Sequence, residues 1–159
     1  MNNSRLETKP SITHLYEIHD WLKEEYLIKH KGFYSNWRKI KEAFEEGELL
    51  IYEVNKVVVG FIVFTEIDST RIIDIAAIKP SERGKGIGRE FVNRVVYHFN
   101  LVGVKTLKIF CSPPSSESFW RKCGFDSSDD SLIELGMPLT LKINANLNVN
   151  PSLTSVTFP

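Results

Sequence analysis

Three glycines at alternate positions, Gly84, Gly86 and Gly88, lie among three cations in the run Arg83-Gly84-Lys85-Gly86-Ile87-Gly88-Arg89. Glycines so spaced let the backbone curl with its amides facing one point, and no β-carbon keeps a phosphate away. A helix opening after this turn would add unpaired N–H groups and the positive end of its dipole. Arg83, Lys85 and Arg89 add charge around the same place, so the combination suits a diphosphate. A turn that only redirected the chain would need one glycine and no flanking cations. Two common phosphate loops do not fit. The Walker loop ends in Gly-Lys-Ser or Gly-Lys-Thr, absent here, and the dinucleotide fingerprint spaces its glycines differently.

The elements that must position this turn are legible on both sides. The β-branched run Arg71 to Ile78 reads as a strand leading into it, and Gly86 to Val102 follows with helical spacing through Phe91, Val95, Phe99 and Val102. Upstream, Ile12, Leu15, Ile18, Leu22 and Tyr26 mark an amphipathic helix from Ile12 to Leu27, with Ser11 as its cap. Ser35-Asn36 caps a second helix through Trp37, Ile40 and Phe44, stopped at Gly47, and His30 to Tyr34 forms the loop between. Leu49 to Val54 and Val57 to Phe64 form a hairpin about Asn55-Lys56. Downstream, Lys105 to Cys111 is a strand that Pro113-Pro114 ends, and Ser115 caps a short helix holding Phe119 and Trp120 and closed by Gly124. Ser131 to Ile143 reads as strand at its ends, interrupted at Gly136-Met137-Pro138. This order predicts one mixed α/β domain over residues 1–143, a mostly antiparallel sheet flanked by helices. Residues 144–159 are rich in Asn, Ser, Thr and Pro without periodicity, and read as a tail, disordered or laid along a partner subunit of a homodimer.

Composition narrows the class of activity. Twenty basic residues balance twenty acidic ones, so no overall field drives the chain to nucleic acid or an anionic membrane, and nucleic acid is not expected as a substrate. No stretch approaches the roughly 20 apolar residues of a membrane span, and the polar start Met1 to Arg5 lacks the apolar core of a signal peptide, so the cytoplasm is the expected address. Cys111 and Cys123 are too few for a disulfide framework, and the four histidines form no cluster, so no metal is expected.

The residues around the turn resemble the GCN5-related N-acetyltransferase family. Its signature is a strand, often a Pro, then Arg/Gln-x-x-Gly-x-Gly/Ala opening a helix, and here Ile78-Lys79-Pro80 precedes Arg83-Gly84-Lys85-Gly86-Ile87-Gly88. A second family element, a short helix ending in aromatic-x-x-Lys-x-Gly-Phe, is similar to Phe119-Trp120-Arg121-Lys122-Cys123-Gly124-Phe125. The resemblance covers Leu49 to Phe125 and the two N-terminal helices by order. It implies acetyl-CoA as co-substrate, with strands carrying Ile75 and Ile109 splayed apart to admit its pantetheine arm. Backbone groups of Ala76, Ala77 and Ile78 would bind that arm, and Gly84 to Arg89, with Arg83 beside them, the pyrophosphate. It also implies direct attack by an amine acceptor, protein or small molecule, on the thioester in a ternary complex. The small side chains of Ala76 and Ala77 suit a ligand beside the strand, and suit ordinary packing beneath a helix nearly as well.

Amine acetylation requires a neutral nitrogen, a polarised carbonyl and a thiol that can leave. Asp74 is the preferred base, since strand alternation puts residues 74, 76 and 78 on one face and the family geometry brings that face near the thioester. An exposed or ion-paired strand aspartate is the plain alternative. Glu66 and Asp68 are weaker candidates. The family's usual tyrosine acid is replaced by Trp120, its usual asparagine by Pro113, and Lys108 stands where some members carry a glutamate. An indole N–H donates a hydrogen bond but is no practical proton source. A thiol of pKa near 8.5 still leaves readily as thiolate. Cys123 reads as a small apolar filler rather than an acyl carrier, and Ser115 and Ser116 as helix caps or cofactor contacts. The acceptor is expected over the aromatic N-terminal region, Trp21, Tyr26, His30, Phe33, Tyr34 and Trp37, which suits an apolar or cationic amine and equally suits packing onto the sheet. The three departures leave open an acyl-CoA-binding regulatory module without turnover, and an interaction protein that keeps only the fold.

Overall fold

The computed structural model describes residues 3–111, 113–127 and 138–143. A mixed sheet of seven strands lies at its centre. The order begins with β1 (Ser4–Glu7), β2 (Leu49–Val54), β3 (Val57–Ile67) and β4 (Thr70–Ile78), and continues through β5 (Thr106–Ile109), then β7 (Leu139–Lys142), then β6 (Asp126–Ser127) at the far edge. All neighbours pair antiparallel except β4 and β5. Helices α1 (Ile12–Lys29) and α2 (Trp37–Glu46) cover one face, and α3 (Ile87–Leu101) and α4 (Glu117–Lys122) the other. Residues 49–52 of β2 and 58–64 of β3 are therefore buried on both faces, which is why those stretches read as apolar runs.

Local chemistry sets the element ends. Ser11 caps α1: its Oγ accepts from the His14 amide, and His14 Nδ1 accepts from the Ser11 amide in return. This reciprocal pair satisfies two donors that the helix cannot. Leu15, Ile18 and Leu22 are the buried stripe of α1, and Ile40 and Ala43 that of α2. Two expected caps make no side-chain cap bond. Asn36 ends a 3-10 turn, Tyr34–Asn36, before α2, and Ser116, not Ser115, occupies the cap position of α4 after the turn Pro114–Ser116. The hairpin turn holds Asn55 and Lys56 at φ 51° and 65°, the primed geometry whose twist matches the strands it joins.

β1 escapes a sequence reading because Ser-Arg-Leu-Glu carries one apolar residue and no alternation. Its place comes from pairing with β2 and from the Asn3 amide donating to Asn55 Oδ1 at 3.0 Å. β3 extends past Phe64 to Ile67 because the polar Thr65 and Glu66 are still paired with β4. The expected strand between Ser131 and Ile143 is seen as Leu139–Lys142; its beginning, Gly136-Met137 and the tail 144–159 lie outside the described residues.

Two features of β4 set up the site. The first is a bulge. Val63 pairs with Ile75 and Phe64 with Ile73, leaving Asp74 as the extra residue. Ile75 and Ala77 join the core under α1 and α2, while Ile73, Ala76 and Ile78 belong with the core under α3. The second is a short pairing with β5, which runs only from Thr70–Thr106 to Ile73–Ile109. Beyond Ile73 the β5-facing edge of β4 has no strand beside it among the described residues.

Candidate active site

The gap between the parted strands opens into a cleft of about 950 Å³. Ala76, Ala77 and Ile78 line it from β4, Gly84, Gly86, Gly88 and Arg89 from the turn and first residues of α3, and Pro113, Ser116, Phe119 and Trp120 from the opposite bank. Ile62, Phe91 and Val92 close its apolar floor.

The glycine turn has the backbone that its residue types imply. Gly84 and Gly86 sit at φ 78° and 81°, a left-handed region that side chains disfavour. Gly86 is the N-cap of α3 and no side chain caps the helix, so its leading amides are left for a ligand. Gly88 serves for space: a β-carbon there would lie 3.3 Å from the Phe119 ring.

The cations divide into two groups. Arg83 is engaged, its Nε donating to the Ile78 carbonyl at 2.8 Å and its Nη1 to Glu25 Oε2 at 2.7 Å. Lys85 Nζ pairs with Glu82 at 3.2 Å, and Lys85 and Ile87 are not among the cleft-lining residues. Arg89 lines the cleft without an ion pair among the described residues. So do Lys29 and Lys31, which reach the cleft from the end of α1 and the loop after it. Those two lysines, with Glu25 and Gly32, are what sequence reasoning missed. They lie more than fifty residues from the turn and follow no motif. Only the folding of α1 over the end of β4 brings them there.

Asp74 stands apart from Ala76 and Ile78. The expected shared face is broken by the bulge, which turns Asp74 toward α2, where Thr65 Oγ1 donates to its Oδ2 at 2.6 Å and Lys39 Nζ lies 3.7 Å from Oδ1. Its side chain keeps 18% of its exposure, and it sits next to the last rung shared by β4 and β5. Glu66 pairs with Arg71 and Asp68 occupies the β3–β4 turn at φ 52°; none of Asp74, Glu66 and Asp68 is among the residues lining the cleft.

Trp120 is buried, with its ring edge-on to Phe119 and Phe125 at 5.1 and 5.3 Å, and forms cleft wall. Ser116 Oγ donates to the Pro113 carbonyl at 2.8 Å. Burial pushes the Cys123 thiol up to about 11, with the charge of Arg89 pulling weakly the other way, so it is protonated and poorly nucleophilic near neutrality. Burial also raises the Cys111 thiol. No His, Cys, Asp and Glu group of three or more is placed to hold a metal among the described residues, and no helix there is long and apolar enough to cross a membrane.

Of the aromatic residues expected to meet an acceptor, only Phe33 lines the cleft. Trp21 is core, 5.7 Å from the Phe61 ring. Tyr34 and Trp37 gather around His19, with ring centres 5.6 and 4.7 Å away, and Tyr26 lies between Tyr34 and His30.

Comparison with known proteins agrees with this architecture. The family model described as "Acetyltransferase (GNAT) family" matches residues 15–125. Among solved structures, the PaiA N-acetyltransferase of Thermoplasma acidophilum, in complex with coenzyme A, aligns with a TM-score of 0.68 at 17% identity, over 88% of this chain and 99% of its own. A GNAT family acetyltransferase from Brucella melitensis, in complex with acetyl-CoA, aligns at 0.67 and 12% identity over 89% of each chain. Tetrahymena GCN5 aligns at 0.68 and 13% identity, over 89% of this chain and 96% of its own. At these identities the likeness is one of fold. No curated protein matches the chain in sequence.

Proposed function

Because the chain belongs to the GNAT family of acetyltransferases, we propose that it binds acetyl-CoA in the cleft between β4 and β5 and transfers the acetyl group to an amine. The observation that carries this reading is the conjunction of an uncapped α3 N-terminus, a glycine turn at positive φ and the part of the open β4 edge formed by Ala76, Ala77 and Ile78, all on one cleft. A diphosphate is met at the turn by amides and by Arg89, Lys29 and Lys31. The open edge of β4 offers backbone donors and acceptors to the amide groups of a pantetheine arm, and its amides can polarise a thioester carbonyl. Four cations against two carboxylates on the lining favour the polyanionic donor.

Asp74 is the proton acceptor in this reading. Its support is position: it follows the last shared rung of β4 and β5, partly exposed, on the sheet face opposite the α3 N-terminus, where an acceptor reaches the gap without displacing the donor. The hydrogen bond from Thr65 fixes the carboxylate. The described lining carries no tyrosine, histidine or cysteine to protonate the sulfur, so the thiolate leaves as such and takes its proton from water. The two free cysteines suit a reducing cytoplasm.

The test is release of free thiol from acetyl-CoA in the presence of a panel of amines: protein N-termini, lysine, polyamines and amino acids. Amine-dependent release is expected. Binding of CoA without release under any acceptor would favour a regulatory module.

A further inference from the structure

Glu25 is a buried carboxylate that the foregoing reading does not use. It lies on α1 with its side chain 3% exposed. Oε2 accepts from Arg83, and Oε1 has no partner. A buried carboxylate with one oxygen unpaired is a net cost to the fold, so stability does not account for it. Its surroundings are also fitted to it: a β-carbon on Gly32, which sits at φ 92°, would lie 2.2 Å from Oε1. Glu25 therefore touches the loop after α1 on one side and the first residue of the glycine turn on the other.

The guanidinium of Arg83 is used in two directions at once. Nε holds the carbonyl of Ile78, the last residue of β4, and Nη1 holds Glu25. A planar fork can span two fixed acceptors, whereas a lysine ammonium on a flexible stem cannot hold both in register. We propose that Glu25 is a positioning residue of the transferase: through Arg83 it fixes the end of β4 and the start of the glycine turn relative to α1, so that the amides meeting the diphosphate stay aligned. Arg83 is then a strut and not a phosphate ligand, and the charge on the diphosphate is met by Arg89, Lys29 and Lys31. The proposal rests on the acetyl-CoA reading of the cleft.

Calorimetric titration of CoA into the full chain and its variants tests it. Glu25→Gln, Arg83→Gln and Arg83→Lys are each expected to weaken CoA on the order of 10-fold, and the Glu25→Gln/Arg83→Gln double variant no further, because the two residues act as one unit. Arg83→Lys is decisive, since it keeps the cation and the fold while losing the two-way span. If Arg83→Lys binds as wild type while Arg83→Gln does not, Arg83 is a charge ligand and the proposal fails. If Glu25→Gln binds CoA unchanged or more tightly, Glu25 positions nothing and the proposal fails. Should Glu25→Gln not fold, the two Arg83 variants decide alone. If the wild-type chain does not bind CoA, the acetyl-CoA reading falls and takes the proposal with it, an outcome distinct from the other failures.

Discussion

Asp74 and Ala76, two residues apart on β4, face opposite sides of the sheet. Asp74 meets Thr65 and Lys39 under α2, whereas Ala76 packs with the core under α3. One extra residue in the strand separates a polar group on the acceptor side from a small side chain beside the donor cleft. If Asp74 takes the amine proton, Asp74→Asn keeps the Thr65 contact and removes the basicity. Turnover is expected to fall by ~100-fold or more, with CoA affinity unchanged. Steady-state rates across pH on the best amine check this, and an unaltered profile removes Asp74 from the role.

Gly86 separates charge from strain. Nothing lies within 4 Å of a β-carbon built there, so the constraint is its φ of 81°. Gly86→Ala should cost about 1 kcal/mol of stability and weaken CoA less than a charged side chain at the same position does. Gly86→Asp puts a carboxylate beside the diphosphate corner and should weaken CoA by roughly 10-fold or more. Retained affinity in the Asp variant, measured by calorimetry, contradicts the phosphate assignment.

On the family resemblance, Trp120 stands where a tyrosine acid is expected, and it is buried in the cleft wall. If the thiolate leaves without help from a side chain, Trp120→Tyr gains little rate. If proton supply to sulfur limits turnover, the same variant should gain on the order of 100-fold. Thiol release at alkaline and neutral pH distinguishes the two, and near-equal rates are expected.

His98 makes stability depend on pH. Burial lowers its pKa, with the ring set 5.6 Å from that of Phe99. A base whose folded pKa is depressed binds protons more readily when unfolded, so stability is complete above the ordinary value of about 6.5 and declines as pH falls through and below it. The unfolding temperature should therefore drop between pH 7 and pH 5, and drop less in His98→Gln. Equal slopes for the two proteins would place the sensitivity elsewhere.

What could be read from sequence divides along physical lines. The turn at 83–89 was legible because glycine spacing, cations and a following helical pattern coincide locally. α1, α2 and α3 were legible from apolar residues recurring at helical spacing, and β2 to β4 from their β-branched and aromatic runs. β1 was hidden because a short polar strand owes its existence to a partner. The orientation of Asp74 was hidden too, since a bulge is invisible to strict alternation. Glu25 and Lys29 look like the solvated face of an amphipathic helix until α1 is laid against Arg83, and the pairing of Arg83 with Glu25 withdraws from the turn a cation that composition alone assigns to it.

An unpaired strand margin at the outside of a sheet invites other chains to add to it, and proteins guard such margins with charge, proline or brevity. Here the unpaired stretch, Asp74 to Ile78, lies inside the sheet, between β4 and a departing β5, with α3 above it and the Pro113 bank across from it. Backbone groups held open in such an interior slot suit a slender unbranched chain bearing its own amides. The same divergence that builds the binding slot thus keeps an open strand edge in the interior of the sheet rather than at its margin.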